Sequence, residues 1–225
     1  MSLGDGIRMQ RSESFVLGAL LSFSGGLQDA YTFNVRDRVF ANAQTGNVVL
    51  MSQNFMLGNW QKGSDYLFPL ISFVGGVFLS GFIEERFKYS KPFHWRQIVI
   101  VCEFLLLLLV GFLPLEHKRI ANMAVSFACA MQVQAFRMIR GKRYASTMCI
   151  GNLRSGTSCL TKFFENKEKK DIIDAACYFG IILIFALGAG TGGVLSAHLG
   201  IKTIWVSCGL LFLAGLYMNN NEESK

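Results

Sequence analysis

The stretch Gln97–Leu115, QIVIVCEFLLLLLVGFLPL, contains a single charged residue, Glu103, within an otherwise almost unbroken apolar run. At 1.5 Å per residue a helix of this length matches the roughly 30 Å hydrocarbon core of a bilayer. A soluble core helix would be shorter and would have a polar face. This segment sets the expectation for the whole chain, an all-α, polytopic transmembrane helical bundle.

Five more runs meet the same standard: Phe15–Phe33, Tyr66–Ile83, Ile120–Phe136, Ile172–Ala197 and Ile201–Met218. Only 16% of residues are charged and 52% are hydrophobic, whereas a soluble domain carries about a quarter charged residues. The net charge of +7 would raise the question of nucleic acid. The Lys and Arg residues lie between the apolar runs, however, where lipid headgroups meet them, so no nucleic-acid partner is expected. The six cysteines form no C-x-x-C pair and read as small apolar residues. No cofactor or metal-ligand spacing emerges.

Two segments are too polar for lipid. Phe40–Gly58 contains Asn42, Gln44, Thr45, Asn47, Ser52, Gln53 and Asn54; Tyr144–Lys162 contains Thr147, Asn152, Arg154, Ser155 and Thr157. Hydrocarbon cannot satisfy so many amide and backbone groups. Such segments belong inside the protein as broken or re-entrant helices, or on its surface as amphipathic ones.

The distribution of positive charge distinguishes the topologies. With six crossings and cytoplasmic termini, the N-terminal tail, the 84–96 loop and the 137–171 region gather most Lys and Arg on one side. Arg36, Arg38, Lys62, Lys118, Arg119 and Lys202 remain on the other. Eight crossings divide the charges almost evenly and bury Arg154, so six spans fit the positive-inside rule better. Trp95 and Trp205, near helix starts, suit interfacial anchoring.

Gly46-Asn47 recurs as Gly151-Asn152. At the same offset Ala30 matches Ala135, Tyr31 faces Phe136 and Arg38 matches Arg143, and the apolar runs align once a Lys-rich insertion at 165–171 is allowed for. The expected organisation is one membrane domain: a cytoplasmic tail at 1–14, repeats at 15–115 and 116–219, and a polar tail at 220–225. Three spans per repeat make the copies inverted, a layout that places a binding site between repeats near the midplane.

The runs SGGLQDAYTF (24–33) and VFANAQTGNVVLM (39–51), with the weaker echo YASTMCIGNL (144–153), resemble the YoaK family of bacterial membrane proteins. The resemblance covers nearly the whole chain and implies a multi-pass protein of the bacterial cytoplasmic membrane. The family is one of unknown function, so no activity is implied. Ile150 stands where the resemblance leads one to expect Thr before the second Gly-Asn.

Candidate site residues follow from their cost in hydrocarbon. A substrate site is expected from Gln28, Asp29, Asn42, Gln44, Thr45, Gly46, Asn47, Gln132, Thr147 and Asn152, with Gly46 breaking a helix to expose backbone polar groups. Asp29 and Glu103 are candidates for coupling to an ion. The competing structural readings are Asp29 paired with Arg36 or Arg38, Glu103 hydrogen-bonded between helices, and the amides joining packed helices with no ligand. Glycines 75, 76, 81, 188, 190, 192 and 193 read as close helix packing. No catalytic constellation can be assembled, so the chain is not expected to be an enzyme. The leading function is a small secondary transporter for a polar or anionic solute; the alternative is a non-catalytic binding or scaffold protein and, after that, an integral membrane enzyme acting on a lipid or quinone. Expected partners are membrane lipid and the solute, with a homo-oligomer left open.

Overall fold

The computed structural model describes residues 11–89 and 94–219. Positions 1–10, Lys91 and the 220–225 tail lie outside the described residues. Eight α-helices occur among them: α1 (Phe15–Val35), α2 (Gln44–Met56), α3 (Trp60–Phe87), α4 (Trp95–Val110), α5 (Lys118–Ala135), α6 (Cys149–Asn166), α7 (Lys169–Leu199) and α8 (Ile204–Asn219). Between α5 and α6 is a small hairpin, β1 (Met138–Ile139) with β2 (Lys142–Arg143), pairing Met138 with Arg143 and Ile139 with Lys142.

Local chemistry explains several ends. Ser14 accepts the Leu17 N–H at 3.2 Å and starts α1. His94 and Gln97 exchange side-chain and backbone bonds in a capping box at the head of α4. Lys167 and Gly200, both with φ above +50°, end α6 and α7.

Six helices run between two ends of the bundle. At the first, the Arg36 end, Arg36 after α1 bonds the carbonyls of Val110, Leu113 and Pro114 after α4, and Asn122 of α5 donates to the Arg36 carbonyl at 2.7 Å. Lys62 of α3 reaches Asp37, and Trp205 of α8 donates to Leu108. At the other, the Arg96 end, Arg96 of α4 contacts Ser12 and the Ala135 carbonyl, while Arg137 pairs with Glu84 at the foot of α3. Helices α1, α4 and α7 therefore leave the Arg96 end, and α3, α5 and α8 run the opposite way.

Helices α2 and α6 behave differently. After α1 the chain turns at Asp37 and Arg38, both left-handed at φ 72° and 59°. It then folds back to mid-bundle, where Ala41 accepts from Ser126 at the centre of α5 and Asn42 donates to Gly25 at the centre of α1. Helix α2 returns to the Arg36 end, where α3 begins. From the Arg96 end the hairpin and residues 144–148 do the same: Gln132 bonds Ser146, Thr147 packs on Gly25, and α6 leads back out. Gly46 lies in the first turn of α2, with the Phe40 ring 3.3 Å from where a Cβ would sit. The irregular backbone is 36–43, so Gly46 does not break a helix.

Helix α1 packs along α7, and α3 along α5. Gly26 and Gly188 bring α1 and α7 backbone to backbone: a Cβ on Gly26 would collide with the Phe185 carbonyl, and one on Gly188 with the Phe23 carbonyl. Gly76 plays the same part between α3 and Phe127 of α5, whereas Gly81 and Gly190 face open space. Leu17, Leu21, Val99, Leu107, Val125, Met131, Ile204 and Leu211 form the apolar core between α1, α4, α5 and α8. Trp95 belongs to that core, 5% exposed, and is not an interfacial anchor.

Two helical stretches, Trp60–Phe87 and Lys169–Asn219, are long and apolar enough to cross a membrane. Only 28% of the apolar window in each is buried within the protein, where the core helix of a soluble domain would be mostly covered. Val74, Phe78, Leu183, Leu187, Phe212 and Leu213 point outward. Such a surface suits lipid and would be an aggregation hazard in water.

Candidate functional site

Each returning segment is held by one asparagine. Asn47 donates from Nδ2 to the Phe40 carbonyl at 2.7 Å and accepts the Phe40 N–H at 3.2 Å. Asn152 does the same to Ala145, at 2.7 and 3.3 Å. Each side chain thus substitutes for a missing backbone ladder seven residues upstream. The same pair of bonds accounts for the asparagine in both halves.

The tips meet at the centre of α1. Asp29 Oδ1 accepts the Asn42 N–H at 2.7 Å, and the backbone N–H groups of Ala41 and Ala43 also face its carboxylate. Ala43 offers no side-chain cap to α2, so Asp29 caps that helix from across the bundle. Its partner is the tip itself, neither Arg36 nor Arg38. Arg36 is fully buried but committed to three carbonyls and to Tyr31 Oη at 2.8 Å, and Arg38 lies over the Phe33 ring.

Beside this tip, Gln28 Nε2 donates to Ser24 Oγ at 3.0 Å and to Glu103 Oε1 at 3.4 Å. The Cys129 thiol donates to Gln28 Oε1 at 2.7 Å. Glu103 is fully buried on α4, and its Oε2 has no partner. Asn42 Oδ1, Thr147 Oγ1 and Gln132 Oε1 are likewise buried and unpartnered. Native proteins leave few such groups, and each calls for an explanation.

The structure brings together Gln28, Asp29, Asn42, Glu103 and Thr147, with Gln44 bonded to Ser126 and Asn47 one layer away. Gln132 lies toward the Arg96 end, on Leu21 and Ser146. Thr45 is exposed, as is Arg154, and neither faces the cluster. Cys129, Ser24 and Ser126 were not expected there; a small polar residue inside an apolar helix was the available signal, and cysteine alone read as bland packing. All six cysteines are free.

Matching ion pairs flank the tips. Asp37, before the first, bonds Lys62 of α3 and Lys118 of α5, each at 2.8 Å. Lys142, before the second, bonds Asp174 of α7. Asp37 and Lys142 share the offset that relates the two Gly-Asn pairs. Lys62 and Asp174 are related by the same offset plus the inserted 165–171, as are buried Tyr66 and Tyr178, and Gly76 and Gly188. The signs are exchanged between the two clasps. Burial alone would raise the Asp37 carboxyl, but hydrogen bonds from Lys118 and Lys62 outweigh it and hold it below 3.8. Burial would lower Lys142, but Asp174 holds it above 10.5. An open cleft of about 920 Å³ lies over the first clasp, lined in part by Trp60, Lys62, Asp65 and Lys118.

An outward apolar surface around buried carboxyls and amides marks a helical membrane protein. Within that class the chain belongs to the family described as protein of unknown function (DUF1275), matched over residues 17–217, to which the YoaK-like membrane proteins correspond. No curated protein and no solved structure matches it.

Proposed function

We propose that the protein is a small secondary transporter, with six membrane crossings and two inverted repeats, moving a small polar solute past the mid-bundle tips. The observation that carries this reading is the meeting of two folded-back segments, one from each end, at Gly25. Non-helical backbone at membrane depth is tolerated where it is buried in protein or lines a cavity, and transporters place solute and ion sites there. The exchanged ion pairs and the shared offsets support inverted duplication. The excess of Lys and Arg supports a cytoplasmic Arg96 end.

In this reading the clasps alternate. Opening Lys142–Asp174 admits solute from the cytoplasmic side, and opening Asp37–Lys62 admits it from outside. Lipid is the surrounding partner, and no chemical turnover is involved. Uptake of a panel of labelled solutes into proteoliposomes under imposed ion and pH gradients tests it. Gradient-dependent accumulation that is lost in Asn42→Ala is the expected result; silence across the panel in both gradient directions rejects it.

A further inference from the structure

We infer that the species bound at the centre of the bundle is a monovalent cation larger than a proton, an alkali-metal ion or a small ammonium group. The inference deepens the transport reading, which leaves the charge of the solute open. It opposes the anionic solute that folded-back helices would otherwise suggest.

The N-termini of α2 and α6 both start at mid-bundle, and helix N-termini favour anions. That seat is already taken. Asp29 accepts the Asn42 N–H at the head of α2, and its charge also acts on Cys149, the first residue of α6. The protein's own carboxylate thus occupies the position a substrate anion would seek. None of the described hydrogen bonds places a Lys, Arg or His against Ser24, Gln28, Asn42, Glu103 or Cys129. Arg36, the one fully buried arginine among the described residues, sits at the bundle end, bonded to carbonyls.

The amide and thiol donors at the centre are engaged, while the Thr147 hydroxyl, which can donate or accept, has no partner. Gln28 Nε2 is shared between Ser24 and Glu103, Asn42 Nδ2 is on the Gly25 carbonyl, and the Cys129 thiol is on Gln28 Oε1. What remains unsatisfied is oxygen: Glu103 Oε2, Asn42 Oδ1 and Thr147 Oγ1. Glu103 is fully buried and Asn42 is 4% exposed, and both flank the Cys129 thiol. Buried acceptors without donors are costly, and a cation satisfies several at once. A proton on Glu103 supplies one donor, enough for one of these acceptors, whereas a cation can meet several together.

The charge count favours one positive charge. Asp29 is compensated by the backbone N–H groups of the tip, whereas Glu103 has a single amide contact at 3.4 Å. Among the described residues no group of three His, Cys, Asp or Glu side chains could hold a metal ion, which argues against a divalent or transition metal.

The test is thermal unfolding of the full-length protein in detergent, at fixed ionic strength, with sodium, potassium or methylammonium chloride against N-methyl-D-glucamine chloride. At least one of the three is expected to raise the Tm saturably, and the ion that does so identifies the source. Glu103→Gln should weaken that response at least tenfold. If this variant does not fold, Thr147→Val, which keeps the packing on Gly25, should raise the half-saturating concentration several-fold. Equal Tm values in all four salts would overturn the inference and leave a protonated Glu103 as sufficient. Uptake of an anion in medium free of sodium, potassium and ammonium would also overturn it while leaving the transport reading intact. Saturable stabilisation without any uptake would uphold the cation site and reject transport.

Discussion

Replacing Lys142 by Ala removes the cation from one clasp and leaves Asp174, 7% exposed, without its ionic partner. The Lys142 side chain is 33% exposed, so solvent screens part of the loss. The cost to the closed Arg96 end lies between that of a surface pair, under about 1 kcal/mol, and that of a broken buried pair, about 3–5 kcal/mol. We take about 1–2 kcal/mol, which moves an open–closed equilibrium roughly 5- to 30-fold. Cys149, half-buried at the head of α6, reports on it. With the other five cysteines replaced, a membrane-impermeant maleimide applied at the Arg96 end should label Cys149 faster by that factor in Lys142→Ala. Asp37→Asn loosens the opposite clasp and, if the ends alternate, should slow the same labelling. Lys142→Asp combined with Asp174→Lys should return it toward the wild-type rate. Equal labelling rates in folded wild type and Lys142→Ala would refute the reasoning, as would acceleration by both single substitutions.

Asn47→Ala and Asn152→Ala each remove two hydrogen bonds to a turn's backbone and should lower stability by about 1–3 kcal/mol, read as a fall in melting temperature. Gly26→Ala drives a methyl into the Phe185 carbonyl and should abolish monodisperse purification, while Gly81→Ala, facing open space, should be silent on size-exclusion chromatography. Stability should also fall at both extremes of pH. The Asp37 clasp, with its carboxyl held below 3.8, contributes fully above that value and is lost as pH falls through the lower folded one. The Lys142 clasp, held above 10.5, contributes fully below that value and is lost as pH rises through the higher folded one. Melting curves across pH check this: Asp37→Asn should flatten the acid limb and, because Asp37 outweighs burial in holding Lys62 above 10.5, soften part of the alkaline limb, while Lys142→Ala should act on the alkaline limb.

The long helices were legible because one quantity, apolar run length, governs them. Expected runs such as Phe15–Phe33 and Ile172–Ala197 differ from α1 and α7 by only a few residues at each end. Helix α4 is the instructive miss: the run to Leu115 ends at Val110, where Gly111 and Pro114 interrupt the helix and Pro114 has no N–H to offer the Val110 carbonyl, which turns to Arg36 instead. Gly46 misled for the opposite reason. A glycine permits irregular backbone but does not require it, and the turn is held by Asp37 and Asn47 on either side.

By itself, the sequence determined that this chain folds as apolar helices with its amides turned inward, since hydrocarbon cannot solvate a peptide group. It also carried the spacing that links the two Gly-Asn segments. Only the tertiary structure decided that Asp29 caps the first tip, that Glu103 is left with an unpartnered oxygen, and that the two clasps carry opposite signs. Those facts depend on pairings between residues far apart in the chain, whose energies exist only once the helices are packed.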